Sequence, residues 1–273
     1  MDIPQAEAKA QSVRRRVLEM ISGAGRGHIG GSFSATDILV ALYHGRLLRY
    51  NPQEPNWDQR DRFILSKGHS SEALYAVLSD VGYFDAEILQ GYGESGNILG
   101  CHPDHFIPGI EVSTGSLGHG LGIGAGLALG AKLDGSDMRC VVLLGDGECY
   151  EGSVWESAMF GAHHNLNNLV AIIDRNGQIT LDRNEDINQQ EPFADKWEAF
   201  GWETLEIDGH SFQALFDAWE HITQRKSDRP IALIAKTKKG KGVSFMEGNL
   251  HWHHNVPKGD QLTMAREELS VDV

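Results

Sequence analysis

Apolar runs and amphipathic stretches alternate along the second half of the chain. Cys140-Val141-Val142-Leu143-Leu144 and Leu169-Val170-Ala171-Ile172-Ile173 contain no strongly polar residue, as expected of strands buried on both faces. Residues 151–164 between them carry a helical pattern. Strand, helix, strand at this spacing predicts a right-handed βαβ unit with parallel strands. Thr204 to Ile207 predicts a third strand, Phe212 to Thr223 a helix, and Pro230 to Ala235 a closing strand. In the first half, Val13, Val17, Leu18 and Ile21 fall at helical spacing, so the first 20 residues read as a helix that stops at Ser22-Gly23-Ala24-Gly25. Ser34-Ala35-Thr36-Asp37 reads as a cap before a buried helix at Ile38 to Leu42. Arg62 to Leu65 is a short strand candidate, and Ser70 to Val81 a further amphipathic helix. The fold class is therefore α/β, a parallel sheet flanked by helices.

Two stretches lack either period. Residues 91–110 are rich in Gly and His and read as a loop. Residues 177–196 have few large apolar side chains and follow the C-terminal end of a strand, where open α/β sheets bind ligands. No repeat, low-complexity tract or linker divides residues 1–273, which read as one domain.

Composition sharpens this picture at one point. The 273 residues include 32 glycines, about 12% against a usual ~7%, and seven of them lie in residues 115–130. Each costs about 1 kcal/mol in a helix relative to alanine, so this run predicts a buried helix needing close packing. The net charge of −14 argues against nucleic acid and anionic membrane as partners. No apolar run reaches the roughly 20 residues of a membrane helix. Met1 to Met20 lacks the apolar centre of a signal peptide, and Asp2, Glu7 and Glu19 speak against a transit peptide despite Arg14-Arg15-Arg16. Three cysteines, Cys101, Cys140 and Cys149, suit a reducing compartment, so a cytoplasmic location is expected.

The sharpest chemical signal is Gly145-Asp146-Gly147 directly after one buried strand and Asn176 directly after the next. A lone Gly-Asp-Gly is more often a βα turn with a capping Asp. Here, both residues sit at the C-terminal ends of neighbouring parallel strands, so their oxygens can converge. A carboxylate, a carboxamide and a backbone carbonyl are hard donors suited to Mg²⁺ or Ca²⁺, and Mg²⁺ completes its octahedron with phosphate oxygens and water. Single histidines are more often structural, and zinc at His251, His253 and His254 lacks a nearby cysteine. A dinucleotide site is weaker still, because no Gly-x-Gly-x-x-Gly follows the first strand.

Gly-Asp-Gly, an interval of 28 residues (148–175) and then Asn resembles the thiamine diphosphate signature. The continuation Glu148-Cys149-Tyr150-Glu151-Gly152-Ser153-Val154-Trp155-Glu156 narrows the resemblance to transketolases. Gly27-His28, Ser66-Lys67-Gly68-His69, Gly100-Cys101-His102-Pro103, Ser113 to Gly120, Lys236 to Gly242, and Trp252-His253 are similar to further motifs of that family, in order. The resemblance implies a thiamine diphosphate fold and Mg²⁺ bound by Asp146, Asn176 and the Gln178 carbonyl. It implies cofactor contacts from His69, Gly147, Asn176 and Lys239, with Gly115, Ser116 and Leu117 lining the coenzyme. It also implies that His28 and His253 move protons at the substrate and that His102 binds the donor sugar. Trp252 and the spacing from Lys239 favour His253 over His254. His119 replaces a usual Gln and is given no catalytic role.

In transketolases the acid that activates the coenzyme, and the residues holding the sugar phosphate, belong to a second, pyrimidine-binding domain. The resemblance therefore implies that the pyrimidine-binding and C-terminal domains lie on a separate chain. This chain is then the N-terminal subunit of a split transketolase, an α₂β₂ heterotetramer moving a two-carbon ketol unit between a ketose phosphate and an aldose phosphate. Pentose phosphates, apulose phosphate and sulfo-sugars all remain open as substrates. One alternative is the α subunit of another thiamine diphosphate enzyme, of the 2-oxo acid dehydrogenase or deoxyxylulose-phosphate synthase type. Another is a non-catalytic cofactor-binding module.

Overall fold

A computed structural model describes residues 1–270. Five parallel strands form one sheet: β1 (Arg62–Leu65), β2 (Cys140–Gly145), β3 (Leu169–Arg175), β4 (Glu203–Asp208) and β5 (Ile231–Lys236), in the order β1-β2-β3-β5-β4. Successive residues of a strand face opposite sides, and both sides are covered, which is why β2 and β3 read as unbroken apolar runs. Val141, Leu143, Val170, Ile172 and Leu233 pack under α1 (Ile3–Ala24), α2 (Ile29–Tyr43), α3 (Ser71–Asp80) and α8 (Phe212–Gln224). Val142, Leu144, Ala171, Ile173 and Ile234 pack under α4 (Gly120–Leu133), α5 (Gly152–His163) and α7 (Phe193–Ala199). A short helix, α6 (Asn184–Ile187), and a last one, α9 (Asp260–Glu268), complete the chain. Among the described residues no helix is long and apolar enough to cross a membrane.

The strands and most helices lie where the sequence pattern puts them, with three departures. First, α2 begins at Ile29, so Ser34 to Asp37 sit inside it and are buried. Their polar atoms bond sideways instead of capping: the Ser34 hydroxyl donates to Asp174, and Asp37 accepts from Arg14 and His210. Second, the stretch 177–196 is not all loop, since α6 and the start of α7 fall within it. Third, α9 lies outside every predicted element; its Arg266 pairs with Glu19 of α1.

The glycine-rich run divides into two parts. Gly115 to His119 form a turn in which Gly115 and Gly118 have positive φ, and α4 starts at Gly120. Within α4, a Cβ on Gly124 would lie 2.5 Å from Val142 Cγ2, so glycine lets the helix lie on β2. Gly126 and Gly130 face open space and have no such need. The packing argument therefore holds for only part of the run. In urea unfolding, Gly124→Ala is expected to destabilise the chain by about 1–3 kcal/mol through overpacking. Gly126→Ala is expected to stabilise it by about 0.5–1 kcal/mol, through backbone entropy alone.

Candidate active site

Because the strands are parallel, the turns after β1, β2, β3 and β5 all emerge at one edge of the sheet. They carry Lys67-Gly68-His69, Asp146-Gly147, Asn176-Gly177-Gln178 and Lys238-Lys239. These turns surround a cavity of about 250 Å³ lined by Lys67, His69, Leu117, Asp146, Gly147, Asn176, Gln178, Lys239 and His253, among others. Glycines let further segments approach. At Gly30, in the first turn of α2, a Cβ would lie 2.6 Å from the Trp252 carbonyl oxygen and 2.9 Å from Lys239 Cγ. That gap seats the segment bearing His253 and the stem of Lys239 against the helix.

Asp146 is buried. Its carboxylate accepts from the backbone N–H of Gly147 at 2.8 Å and of Gly177 at 2.6 Å, and Arg175 lies at 3.3 Å. Burial pushes its carboxyl up from the ordinary range, against the pull of those donors. The Asn176 carboxamide oxygen accepts from the Gln178 N–H at 3.2 Å, and the Gln178 carbonyl faces Lys239 Nζ, also at 3.2 Å. The donors gathered here are a carboxylate, a carboxamide and a main-chain carbonyl. Among the described residues no three His, Cys, Asp or Glu side chains converge as a metal cage. That set suits a hard ion whose remaining positions go to a ligand's phosphates and water.

Lys239 is buried, donates only to the carbonyls of Gln178 and Ile179, and has no carboxylate in ion-pair range among the described residues. Burial, with Lys67 nearby, lowers it to about 8. A buried cation without a counter-charge is a demand for an anion. The buried polar atoms without protein partners include Gln178 Oε1, His28 Nδ1 and His253 Nδ1. The residues present thus fit a diphosphate with its magnesium ion.

The imidazoles gather around His28. Ring centroids lie 5.5 Å away for His69, 5.9 Å for His102 and 5.7 Å for His253. Burial, then Lys67, holds His69 well below the usual imidazole value, and burial, then Lys239, pushes His253 down to about 3. Both are neutral near pH 7, with one donor and one acceptor nitrogen each. His253 is half-buried with Nε2 at 3.1 Å from the Thr180 hydroxyl, whereas His254 is exposed. The His102 ring lies where a Cβ on Gly115 would come within 2.9 Å, so that glycine seats the histidine.

Other sequence candidates fall differently. Leu117 lines the cavity, but Ser116 lies with His119 on an adjoining open surface. The gap at Gly147 is taken by Ile179, 2.5 Å from a would-be Cβ, so this glycine admits the loop after β3. Four functional neighbours carry no role in the sequence reading. Arg175 and Gln190 reach Asp146 from the end of β3 and the loop beyond it, the latter by donating to its carbonyl at 2.7 Å. Glu148 accepts from Ser66 Oγ and from the N–H groups of Gly118 and Gly145, joining the segment after β1, the entry to α4 and the end of β2. Lys67 forms a buried ion pair with Asp174. Glu148 and Lys67 do stand inside recognisable motifs, and that position is the signal that could have found them.

Comparison with known proteins agrees with this geometry. The family model for the transketolase thiamine diphosphate binding domain matches residues 5–273. The chain is 43% identical over 270 residues to an apulose-4-phosphate transketolase subunit of Phocaeicola vulgatus, covering 99% of this chain and 95% of that protein. It is 41% identical over 247 residues to the 6-deoxy-6-sulfo-D-fructose transketolase subunit of a Clostridium species, covering 90% and 89%. The transketolase structure from Campylobacter jejuni superposes with a TM-score of 0.92 at 30% identity, over 98% of this chain but 43% of that one. The chain thus spans less than half the length of such longer transketolases. Matched along almost all its residues by the domain model and by subunit-sized relatives, this chain belongs to the transketolase family, as its thiamine diphosphate binding domain.

Proposed function

We propose that this chain is the N-terminal, coenzyme-binding subunit of a split transketolase that transfers a two-carbon ketol unit from a ketose phosphate to an aldose phosphate. The observation that carries the reading is one cavity joining a hard-oxygen donor set, an unpaired buried Lys239 and the imidazoles around His28. Asp146, Asn176 and the Gln178 carbonyl would hold Mg²⁺, for which Ca²⁺ could substitute. His69, Gly147 and Lys239 would hold the diphosphate, with Leu117 giving apolar contact and Gly115 and Ser116 beside it. Thiamine diphosphate, when bound, supplies the carbon nucleophile. His28 and His253, each with a free Nδ1, would move protons at the carbonyl oxygen and C3 hydroxyl of the donor. His102 would orient that donor near C1 and C2.

Residues 1–273 form one domain in this reading. The activating acid and the sugar-phosphate site come from a separate C-terminal subunit in an α₂β₂ assembly. The names of the relatives support this, since those matched along 95% and 89% of their own length are named as transketolase subunits. A reducing, cytoplasmic setting accords with three unpaired cysteines. The names of the relatives make apulose 4-phosphate and 6-deoxy-6-sulfo-D-fructose donors to test beside pentose phosphates.

Asp146→Asn is expected to weaken Mg²⁺ binding more than about tenfold in calorimetry with thiamine diphosphate, with circular dichroism unchanged. Unaltered affinity would remove Asp146 from the metal site. Ketol transfer is expected only when the chain is mixed with a partner resembling a pyrimidine-binding domain. Equal turnover by the chain alone, or CO₂ release from a 2-oxo acid, would contradict the reading.

A further inference from the structure

Glu72 is a fully buried carboxylate that the mechanism above leaves unused. It stands in the first turn of α3, where the helix dipole favours negative charge. Its oxygens accept from the His28 N–H at 3.0 Å, the Ser32 hydroxyl at 2.7 Å and the Tyr92 hydroxyl at 2.6 Å. All three donors are neutral, and no Lys or Arg among the described residues pairs with it. Burial, then Glu72 itself, holds the Tyr92 phenol protonated, so Tyr92 must be the donor. An ionised carboxylate, which only accepts, matches this set of partners.

Backbone geometry makes the arrangement specific. Gly27 has φ of 148°, and a Cβ there would lie 2.7 Å from Glu72 Oε1 and 2.6 Å from Ile21 Cγ1. Glycine is therefore what lets the Gly27-His28 turn close onto the carboxylate. Tyr92 anchors the same carboxylate from the irregular segment that also carries His102. One side chain thereby joins α2, α3 and that segment beneath the imidazole cluster.

We propose that Glu72 is a positioning residue for His28: it fixes the Gly27-His28 turn through the backbone and sets a buried negative charge beside the imidazole. The groups facing His28 are Glu72 from α3, His69 after β1, His102, Lys239 after β5, and His253 and His254. Burial lowers the basicity of His28. Of these groups Glu72 alone opposes that effect, and Lys239, His102 and His254 add to it. An imidazole that must accept a proton in such a place needs an anion near it. The part about turnover rests on the transketolase reading, whereas the coupling between Glu72 and His28 does not.

The test is histidine titration by NMR on the full chain, with the His28 signal identified by its loss in His28→Gln. Glu72→Gln keeps the shape and removes the charge, so the His28 midpoint is expected to fall by about one pH unit. Glu72→Asp keeps the charge and loses reach, and is expected to leave the midpoint within about 0.3 unit of wild type. A purely structural role predicts the opposite order, because the shorter Asp disturbs the packing more. An unshifted midpoint in Glu72→Gln would overturn the proposal. If Glu72→Gln does not fold, Glu72→Asp decides: a fall of a full unit overturns it, and a held midpoint supports it. In the enzyme assembled with its partner, Glu72→Gln is expected to lower kcat at least about tenfold at unchanged coenzyme affinity. A shifted midpoint with unchanged kcat would overturn the part of His28 in turnover and uphold its coupling to Glu72.

Discussion

A buried ion pair between Lys67 and Asp174 ties the C-terminal end of the sheet together. Asp174 lies near the end of β3, and Lys67 in the turn after β1, on the far side of β2. The hydroxyls of Ser34 in α2 and Thr237 after β5 also donate to Asp174, and Lys67 donates to the Gly31 carbonyl at 3.2 Å. Burial works against ionisation of Asp174, yet Lys67 and these donors hold it below the ordinary carboxylate range. Removing one partner from such a pair costs roughly 3–5 kcal/mol, because it strands the other charge in the interior. The pair sets geometry as well as stability, since it fixes the placement of α2 relative to the ends of β1, β3 and β5.

Charges that remain uncompensated have a different meaning from this satisfied pair. Lys239 and the free Nδ1 of His253 line the same cavity, with the free Nδ1 of His28 beside His253, and the protein alone does not complete their hydrogen bonding or charge balance. The net charge of −14 says nothing about this local field, in which two buried lysines face the mouth of the sheet. A fold that uses a rigid, well-satisfied network to hold unsatisfied groups in place is organised to receive a polar ligand.

Much of this was legible in the order of residues. Strands buried on both faces announce themselves as apolar runs, so β2 and β3 and the convergence of Asp146 with Asn176 followed from pattern and parallel topology. The histidines were legible only through their motifs, because nothing in local periodicity brings residues 28, 69, 102 and 253 together. Ser34, Thr36 and Asp37 misled because small polar residues before an apolar run resemble a cap, while their partners lie on Asp174, on Ser32 within the same helix, and on Arg14 and His210. Glu72, Arg175 and Gln190 were invisible for the same reason. Their meaning lies in partners 15 to 44 residues away in the sequence.

Everything above turns on whether the turns after β1, β2, β3 and β5 form the diphosphate and metal site of a shared active centre. The most direct measurement is a crystal structure of the chain with its partner, thiamine diphosphate and Mg²⁺. Mg²⁺ is expected at about 2.0–2.1 Å from the oxygens of Asp146, Asn176 and the Gln178 carbonyl, with the diphosphate against His69 and Lys239. A coenzyme bound elsewhere, or a metal held by other residues, would contradict it.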